Sequence, residues 1–199
     1  MKIFFSVWML IFIVSGCAYI DMFKNRTISG EYLNVLSSHT RTKTLYSELE
    51  TRLHISATFK SRDFQEAYLK EYSRLNELTE AERKTQADNL EAAALGYTEF
   101  FLYAYVPEKD ANDFASPNSL WRIFLVKSNG EKIYPLEIRK IENVNALLEE
   151  LFPYIKKHYG FCYLVKFSAD NVASAPGGKL AQKLVVTGVL GKNVELEWN

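Results

Sequence analysis

The feature that most constrains the fold is a period-two alternation of apolar and polar side chains between Thr42 and Phe59. Such alternation is typical of a β-strand with one buried face. At about 3.3 Å per residue, a straight strand of this length would extend roughly 60 Å, which is too long for a small domain. We therefore expect the segment to bend, to contain a bulge or to form two strands. Leu45, Leu49 and Leu53 also have helical spacing, but the threonine content favours strands.

After residue 61 the pattern changes to helical periodicity. The side chains that share one helix face are Phe64, Tyr68, Tyr72 and Leu75. Asp63, with Glu66 three residues later, has the spacing of a helix cap. We predict a helix over residues 63–77 with one apolar stripe.

A second helix is indicated by Thr79 and Glu82, which again have capping-box spacing, and by Gly96, which stands where a helix would end. We predict this helix over residues 80–95. It contains few large apolar residues, so we expect it to cover another element while much of its own surface stays exposed.

The remaining sequence returns to β character in short runs. We predict strands over residues 97–106, 120–127, 132–141, 159–167, 184–190 and 194–198, and a short helix over 145–152. Asn129-Gly130 between two apolar runs is typical of a β-hairpin. Pro135 predicts that the arm after this turn is an edge strand or contains a bulge.

Together these elements predict an α+β fold that is mainly β. The expected architecture is an antiparallel β-sandwich, immunoglobulin-like in general form, with a helical pair inserted at about residues 62–95. Residues 42–199 are numerous enough to form this sandwich as a single domain.

Composition excludes several classes of protein. Hydrophobic residues make up 48% of the chain and aromatic residues 14%, which is too apolar for a disordered chain. The 24 basic and 24 acidic side chains give a formal net charge of zero. Proteins that bind nucleic acid need a concentrated basic surface, so we predict no nucleic-acid partner.

The first sixteen residues have the layout of a secretory signal peptide. Lys2 gives a positive start, and Ile3 to Val14 form an apolar run that only Ser6 interrupts. This run is shorter than the roughly 20 residues that cross a bilayer. We predict that residues 1–16 are removed from the mature protein.

Val14-Ser15-Gly16-Cys17 resembles the lipobox of bacterial lipoproteins, although Val14 stands where leucine is commonest. The resemblance implies cleavage between Gly16 and Cys17, and acylation of Cys17, which would hold the protein on a membrane. The family uses an aspartate after the cysteine for retention at the inner membrane. Ala18 stands there, so the resemblance favours the periplasmic face of the outer membrane. Three alternatives stay open: a Gram-positive cell surface, an ordinary secreted protein with an incidental Cys17, and an intracellular protein with an apolar first helix.

Residues 17–41 are mixed in polarity, and we expect the lipidated N-terminus to continue as a flexible tether with at most one helical turn. Beyond Cys17 the chain has one other cysteine, Cys162, so we predict no intramolecular disulfide. Cys162 lies in an apolar strand, where a buried and unreactive thiol is expected.

No catalytic or metal-binding motif is recognisable. The histidines are widely separated and lack zinc-site spacing; they are His39, His54 and His158. Asp110, Asn112 and Asp113 lack the other features of a calcium loop, so we expect a solvated acidic loop. Gly177-Gly178-Lys179 lacks the rest of a phosphate loop and is interpreted as a turn. We predict no catalytic residue, no cofactor and no bound metal ion.

The resulting functional hypothesis is a membrane-anchored, non-enzymatic lipoprotein of the bacterial cell envelope that contacts another envelope protein. Aromatic residues exceed what a small core needs, and such residues are common at interfaces. The first alternative is a binding domain for a small hydrophobic ligand or an envelope glycan. A hydrolase built from residues that are distant in sequence is the second alternative.

Overall fold

The computed structural model describes residues 27–47, 50–172, 174–175, 179–188 and 193–198. The predicted signal peptide, Gly16 and Cys17 lie outside the described residues, as do Gly177 and Gly178. In the described ranges, no helix has both the length and the apolar character that a membrane crossing requires.

The described residues form four α-helices, two short 3₁₀-helices and eleven strands. The α-helices are α1 (Gly30–His39), α2 (Arg62–Leu75), α3 (Glu80–Gly96) and α4 (Ala146–Leu151). The strands are β1 (Thr40–Ser47), β2 (Glu50–Phe59), β3 (Tyr97–Tyr105), β4 (Trp121–Val126), β5 (Lys132–Ile133), β6 (Glu137–Ile141), β7 (Phe161–Ser168), β8 (Ser174–Ala175), β9 (Lys179–Leu180), β10 (Lys183–Gly188) and β11 (Asn193–Leu196).

Two antiparallel sheets face each other, and this confirms the mainly-β, sandwich-like part of the predicted fold. The five-stranded sheet has the order β1-β2-β3-β7-β6, and the four-stranded sheet has the order β11-β10-β4-β5. Their facing sides bury one apolar core that includes Leu53, Phe100, Val165, Leu184 and Trp198. Strands β8 and β9 form a separate small ribbon.

Helices cover the other side of the five-stranded sheet, so the molecule has a third layer that the sequence interpretation did not include. A second buried cluster lies there, with Leu36 of α1, Phe64 of α2, Leu151 of α4 and Phe101 of β3 among its members. Phe101 stacks on Phe152 with a centroid distance of 4.2 Å. The five-stranded sheet is therefore buried on both faces.

The long alternating segment forms two strands and contains a bulge, which confirms two of the three expected outcomes. β1 and β2 pair as an antiparallel hairpin, and the register shifts between Leu45 and Tyr46. Leu45 pairs with Leu53 and Tyr46 with Thr51, so Arg52 is the extra residue of a β-bulge. The run thus contains the bulge as well as the strand break.

The predicted tether is wrong from Gly30 onward. Residues 30–39 form α1, a full helix capped by the Ser29 hydroxyl, and its Tyr32 and Leu36 are buried. β1 then begins at Thr40. The apolar residues of this segment are few, but their four-residue spacing places Tyr32 and Leu36 on one helix face against the sheet.

The helix caps are predicted correctly in one case and wrongly in the other. Thr79 and Glu82 form the expected capping box, and α3 ends at Gly96. α2 begins one residue early, because the Ser61 hydroxyl, rather than Asp63, accepts a hydrogen bond from the Phe64 backbone N–H.

Pro135 marks the place where the chain changes sheets. Strands β4 and β5 form the expected hairpin, and Gly130 in its turn has a φ of 84°. β5 ends before Pro135 at the edge of the four-stranded sheet, and β6 begins after it at the edge of the five-stranded sheet. The predicted single arm over 132–141 is thus two edge strands.

Candidate functional site

A recess opens at one end of the sandwich, where the ends of the two sheets meet. Its volume is about 160 Å³, and its wall is mainly apolar. Leu45 comes from the five-stranded sheet and Trp121 from the four-stranded sheet, while Val106, Pro107 and Leu120 come from the chain between β3 and β4. The recess therefore lies between the sheets.

The Trp121 side chain forms a fixed part of this wall. Its Nε1–H donates a hydrogen bond of 2.7 Å to the Ala111 carbonyl, and its ring stacks on Phe114 with a centroid distance of 5.4 Å. Gly188 pairs with Trp121 in the sheet, and a Cβ atom at Gly188 would lie 2.8 Å from the indole ring. Glycine at this position therefore allows the ring to lie close to β10.

Arg52 provides the only positive charge among the described residues that line the recess. It is the bulged residue of β2, and a bulge commonly redirects one side chain of its strand. The Nε atom of Arg52 is buried and has no hydrogen-bond partner among the described residues. A buried N–H without an acceptor costs roughly 1–3 kcal/mol. The guanidinium of Arg52 therefore has one donor that no described residue uses.

Two carboxylates lie near this guanidinium or at the same rim. Glu50 Oε2 is 3.1 Å from Arg52 Nη2, but the Glu50 side chain is 73% exposed and that of Arg52 is 40% exposed. An ion pair with this much exposure contributes little, about 0–1 kcal/mol. Glu108 is an exposed residue that also lines the recess.

The recess can hold a small apolar group beside a cation. A cavity of about 150 Å³ is large enough for a benzene molecule. Convergence of apolar walls on one polar group is the usual composition of a small-molecule site. By its position in the alternation, Arg52 is an ordinary polar residue of the predicted strand. The available signal was the excessive length of that run, which indicated a bulge without locating it.

The second candidate surface is α3 with the groove beside it. No residue of α3 is buried, although the helix has seventeen residues, and the Leu95 side chain near its end is 84% exposed. An open groove of about 800 Å³ lies between α3 and α2, with Leu69, Leu90 and Ala94 among its lining residues. The expectation of a largely exposed second helix is confirmed.

The three histidines lie in different environments. His39 is buried, with Nδ1 at 2.8 Å from the Val35 carbonyl oxygen, and its Nε2 has no partner in the described part of the chain. His54 lies 2.8 Å from Thr44 Oγ1 through Nδ1, and burial lowers the pKa of His54. His158 is exposed. Among residues with described positions, no group of three histidine, cysteine or acidic side chains is arranged to hold a metal ion.

The loop that contains Asp110, Asn112 and Asp113 is less solvated than expected. Asn112 is buried, and its Nδ2 donates a hydrogen bond of 2.8 Å to the Ala104 carbonyl. The Tyr163 hydroxyl donates to Asn112, with 2.7 Å to the backbone carbonyl oxygen and 3.0 Å to the side-chain Oδ1. The solvated-loop prediction is wrong for Asn112, because this side chain connects the loop to two strands of the five-stranded sheet.

Cys162 occupies the predicted buried position in β7. It is free and almost fully buried in the helix-side cluster. Burial raises the pKa of its thiol to about 12, with a smaller contribution from the negative charge of Glu149. At neutral pH the thiol stays protonated, which is the unreactive form.

The recess and the α3 surface are the two candidate sites in the described part of the chain. No family model, curated protein or solved structure matches the chain.

Proposed function

We propose that the chain is a lipid-anchored bacterial envelope protein whose globular head contacts another envelope protein, with no enzymatic activity of its own. The anchor is Cys17 after cleavage at Gly16, and Ala18 favours the periplasmic face of the outer membrane. Cys17 lies ten positions before Thr27, where the described head begins. Even fully extended, ten residues reach about 35 Å, so the head would stay close to the bilayer.

A compact polar cluster supports this proposal by attaching the start of the head firmly to α2. Buried Glu71 accepts hydrogen bonds from the Ser29 backbone N–H at 2.7 Å and from the Ser29 hydroxyl at 2.9 Å. Arg74 Nη2 donates to Glu71 Oε1 at 2.7 Å and to the Thr27 carbonyl at 2.8 Å. Force on the N-terminal segment would therefore pass directly into the helix layer.

The observation that carries the protein-contact role is the exposure of α3. Helices in proteins are stabilised mainly by burying one face, and α3 buries none of its residues in the isolated chain. Its last turns present Ala92, Ala94 and Leu95 to solvent. A partner that covers this end of α3 and the adjoining groove would complete the helix layer.

The proposal is tested by crosslinking in intact cells of the host, followed by identification of the captured protein. Leu95→Glu should abolish capture of a stoichiometric partner, because it places a charge on the exposed apolar end of α3. Leu136→Glu is the matched control. Leu136 is another exposed leucine, with 67% of its surface accessible, but it precedes β6 on another part of the surface. Equal capture by both variants would remove α3 from the interface.

The anchor has an independent test. Cys17→Ser should move the protein from the membrane fraction to the soluble fraction and should abolish labelling with radioactive fatty acid. An unchanged distribution, with an intact leader and an unmodified thiol in the measured mass, would contradict lipid attachment.

The second candidate function is binding of a small hydrophobic ligand, and the recess between the sheets favours it. An envelope glycan is less well matched, because sugars need several hydrogen-bonding side chains and this wall is mainly apolar. The finer assignment of an immunoglobulin-like sandwich also stays a proposal, supported by the two facing antiparallel sheets.

A further inference from the structure

We propose that the recess binds a monocarboxylate that carries one apolar group about the size of a phenyl ring. The apolar group would fill the space between Leu45 and Trp121, and the carboxylate would bind the guanidinium of Arg52. This inference rests on the second candidate function and specifies the chemical class of its ligand.

Size limits the apolar part of the ligand. The recess measures about 160 Å³, close to the roughly 150 Å³ that accommodates benzene. A long acyl chain would therefore extend beyond the cavity, whereas one aromatic ring or one branched aliphatic group would fill it. Trp121 and Gly188 fix one side of the wall, so this side is in place before the ligand arrives.

The charge of the ligand follows from Arg52. A carboxylate can accept two parallel hydrogen bonds along one edge of a guanidinium, and Nε with Nη2 forms such an edge. The Nε atom is buried without a partner among the described residues, and Nη2 lies 3.1 Å from Oε2 of the exposed Glu50. Because Nε is buried in this conformation, the guanidinium would have to turn toward the recess for a ligand carboxylate to displace Glu50 into water and bond to both Nε and Nη2.

The nearby acidic residues limit this site to one negative charge. Glu50 and Glu108 lie at or near the rim, so a second carboxylate on the ligand would face like charge. We therefore expect monocarboxylates to bind and dicarboxylates of similar size to be rejected. This selectivity distinguishes the site from a general anion-binding surface.

Two sources share this chemistry. One is a free aromatic or branched aliphatic acid, and the other is the C-terminal residue of a polypeptide, which combines an α-carboxylate with an apolar side chain. The same contacts serve both, so the experiment compares phenylacetate with a short peptide that ends in phenylalanine.

The test uses the full chain in phospholipid nanodiscs, with ¹⁵N label in the tryptophan indole groups. The Trp121 N–H signal, assigned with a Trp121→Phe variant, should shift on titration with phenylacetate. The Trp198 N–H donates to the His39 carbonyl in the buried interior and should not shift, so it serves as an internal control. Phenylacetate should bind at least about tenfold more tightly than neutral phenylacetamide, since its bonds to the guanidinium are charge-assisted.

Variants separate charge from shape. Arg52→Gln should remove the preference for phenylacetate over phenylacetamide, whereas Arg83→Gln on α3 is a matched loss of charge that should change neither affinity. Gly188→Ala should weaken both ligands, because the new Cβ displaces the Trp121 ring. Circular dichroism of each variant checks that it is folded.

The peptide arm uses acetyl-Gly-Gly-Phe with a free or an amidated C-terminus. Tighter binding of the free peptide than of phenylacetate identifies a polypeptide C-terminus as the source, and the reverse order identifies a free acid. Equal affinities for phenylacetate and phenylacetamide, no effect of Arg52→Gln, or no shift of the Trp121 signal would overturn the inference. None of these results alters the Cys17 or Leu95 tests, so failure of this site and failure of the anchored-head proposal are distinguishable.

Discussion

The two faces of the five-stranded sheet are both buried, but they are built from different chemistry. Toward the four-stranded sheet, β2 contributes Leu53, Ile55, Ala57 and Phe59, which are all apolar. Toward the helices it contributes His54, Ser56 and Thr58, and the last two are fully buried although they are polar. Polar residues at alternate positions of a strand therefore do not show that this face is exposed to solvent, because hydroxyl groups can be buried when they have hydrogen-bond partners.

Those partners lie directly across the β1–β2 hairpin. Thr40 pairs with Thr58, Thr42 with Ser56 and Thr44 with His54, and each pair is hydrogen bonded through its side chains at 2.7 to 2.8 Å. Thr58 also contacts the hydroxyl of Tyr154 at 2.6 Å, beneath the helix layer. β2 thus stabilises the sandwich face by apolar packing alone, and the helix face by packing together with a hydrogen-bonded ladder.

The largest effect is expected from removing packing on the sandwich face. Phe100 is fully buried and its ring lies 5.2 Å from Phe59, 5.7 Å from Phe167 and 5.4 Å from Trp198, centroid to centroid. Phe100→Ala should lower the free energy of unfolding by about 3–5 kcal/mol in urea titrations, because it leaves a large cavity. Phe100→Leu, which keeps most of the volume, should cost much less; similar losses for both variants would contradict the packing argument.

A smaller effect is expected on the helix face, where the cost comes from unpaired hydroxyl groups and not from a cavity. Thr58→Val keeps the shape but leaves the Thr40 and Tyr154 hydroxyls without their shared partner, so it should cost about 1–3 kcal/mol. Removing all three hydroxyls together, as Thr40→Val, Thr58→Val and Tyr154→Phe, should cost less than the single change, since no donor is then left unpaired. If the triple variant were less stable than Thr58→Val in the same titration, the hydrogen bonds of the ladder would themselves stabilise the fold, beyond supplying partners for buried hydroxyl groups.

Acid should loosen the helix layer before it affects the sandwich face. Hydrogen bonds from Arg74 chiefly, and those from Ser29, lower the pKa of Glu71 below its usual 4.5 against the opposing effect of burial. Because the folded pKa is the lower one, the stabilisation is complete above pH 4.5 and declines as the pH falls through the folded pKa. Glu71→Gln should cost about 1–2 kcal/mol at neutral pH, allowing for a half-exposed Arg74, and should flatten stability measured between pH 6 and pH 3. If the stability of Glu71→Gln fell as steeply between pH 6 and pH 3 as that of the unchanged protein, other carboxylates would cause the loss of stability in acid.

The same contrast explains what the sequence could predict. Local signals, such as the Thr79 and Glu82 capping box and the Asn129-Gly130 hairpin, gave the right elements because their cause lies within a few residues. The third layer was not predicted because the alternate polar residues of β2 are typical of a solvent-exposed face. Only the threonines of β1, which lie opposite them in the hairpin, allow these residues to be buried. That pairing depends on the hairpin register, and the register depends on a bulge.

The candidate site was less predictable than the fold for the same reason. Arg52 belongs to the polar parity by its position in the sequence, and only the bulge makes it a residue of the recess. Trp121 and Gly188 are brought together by pairing between β4 and β10, which are far apart in the chain. The surplus of aromatic residues indicated a contact surface in general terms but could not place one cation beside an apolar recess.

The smallest effect is expected at α3, and it determines whether this helix belongs to the stabilising helix layer at all. Leu36 of α1 is buried in that layer, so Leu36→Ala should cost about 2–5 kcal/mol. Leu95→Ala removes the same atoms from a side chain that is 84% exposed. Because alanine is at least as favourable as leucine in a helix, the free energy of unfolding should change by no more than about 0.5 kcal/mol. Comparison of the two variants by urea unfolding is sharpest in the purified chain, where no partner covers α3. A loss at Leu95 close to that at Leu36 would mean that α3 stabilises the head itself, and its exposure would no longer favour a partner.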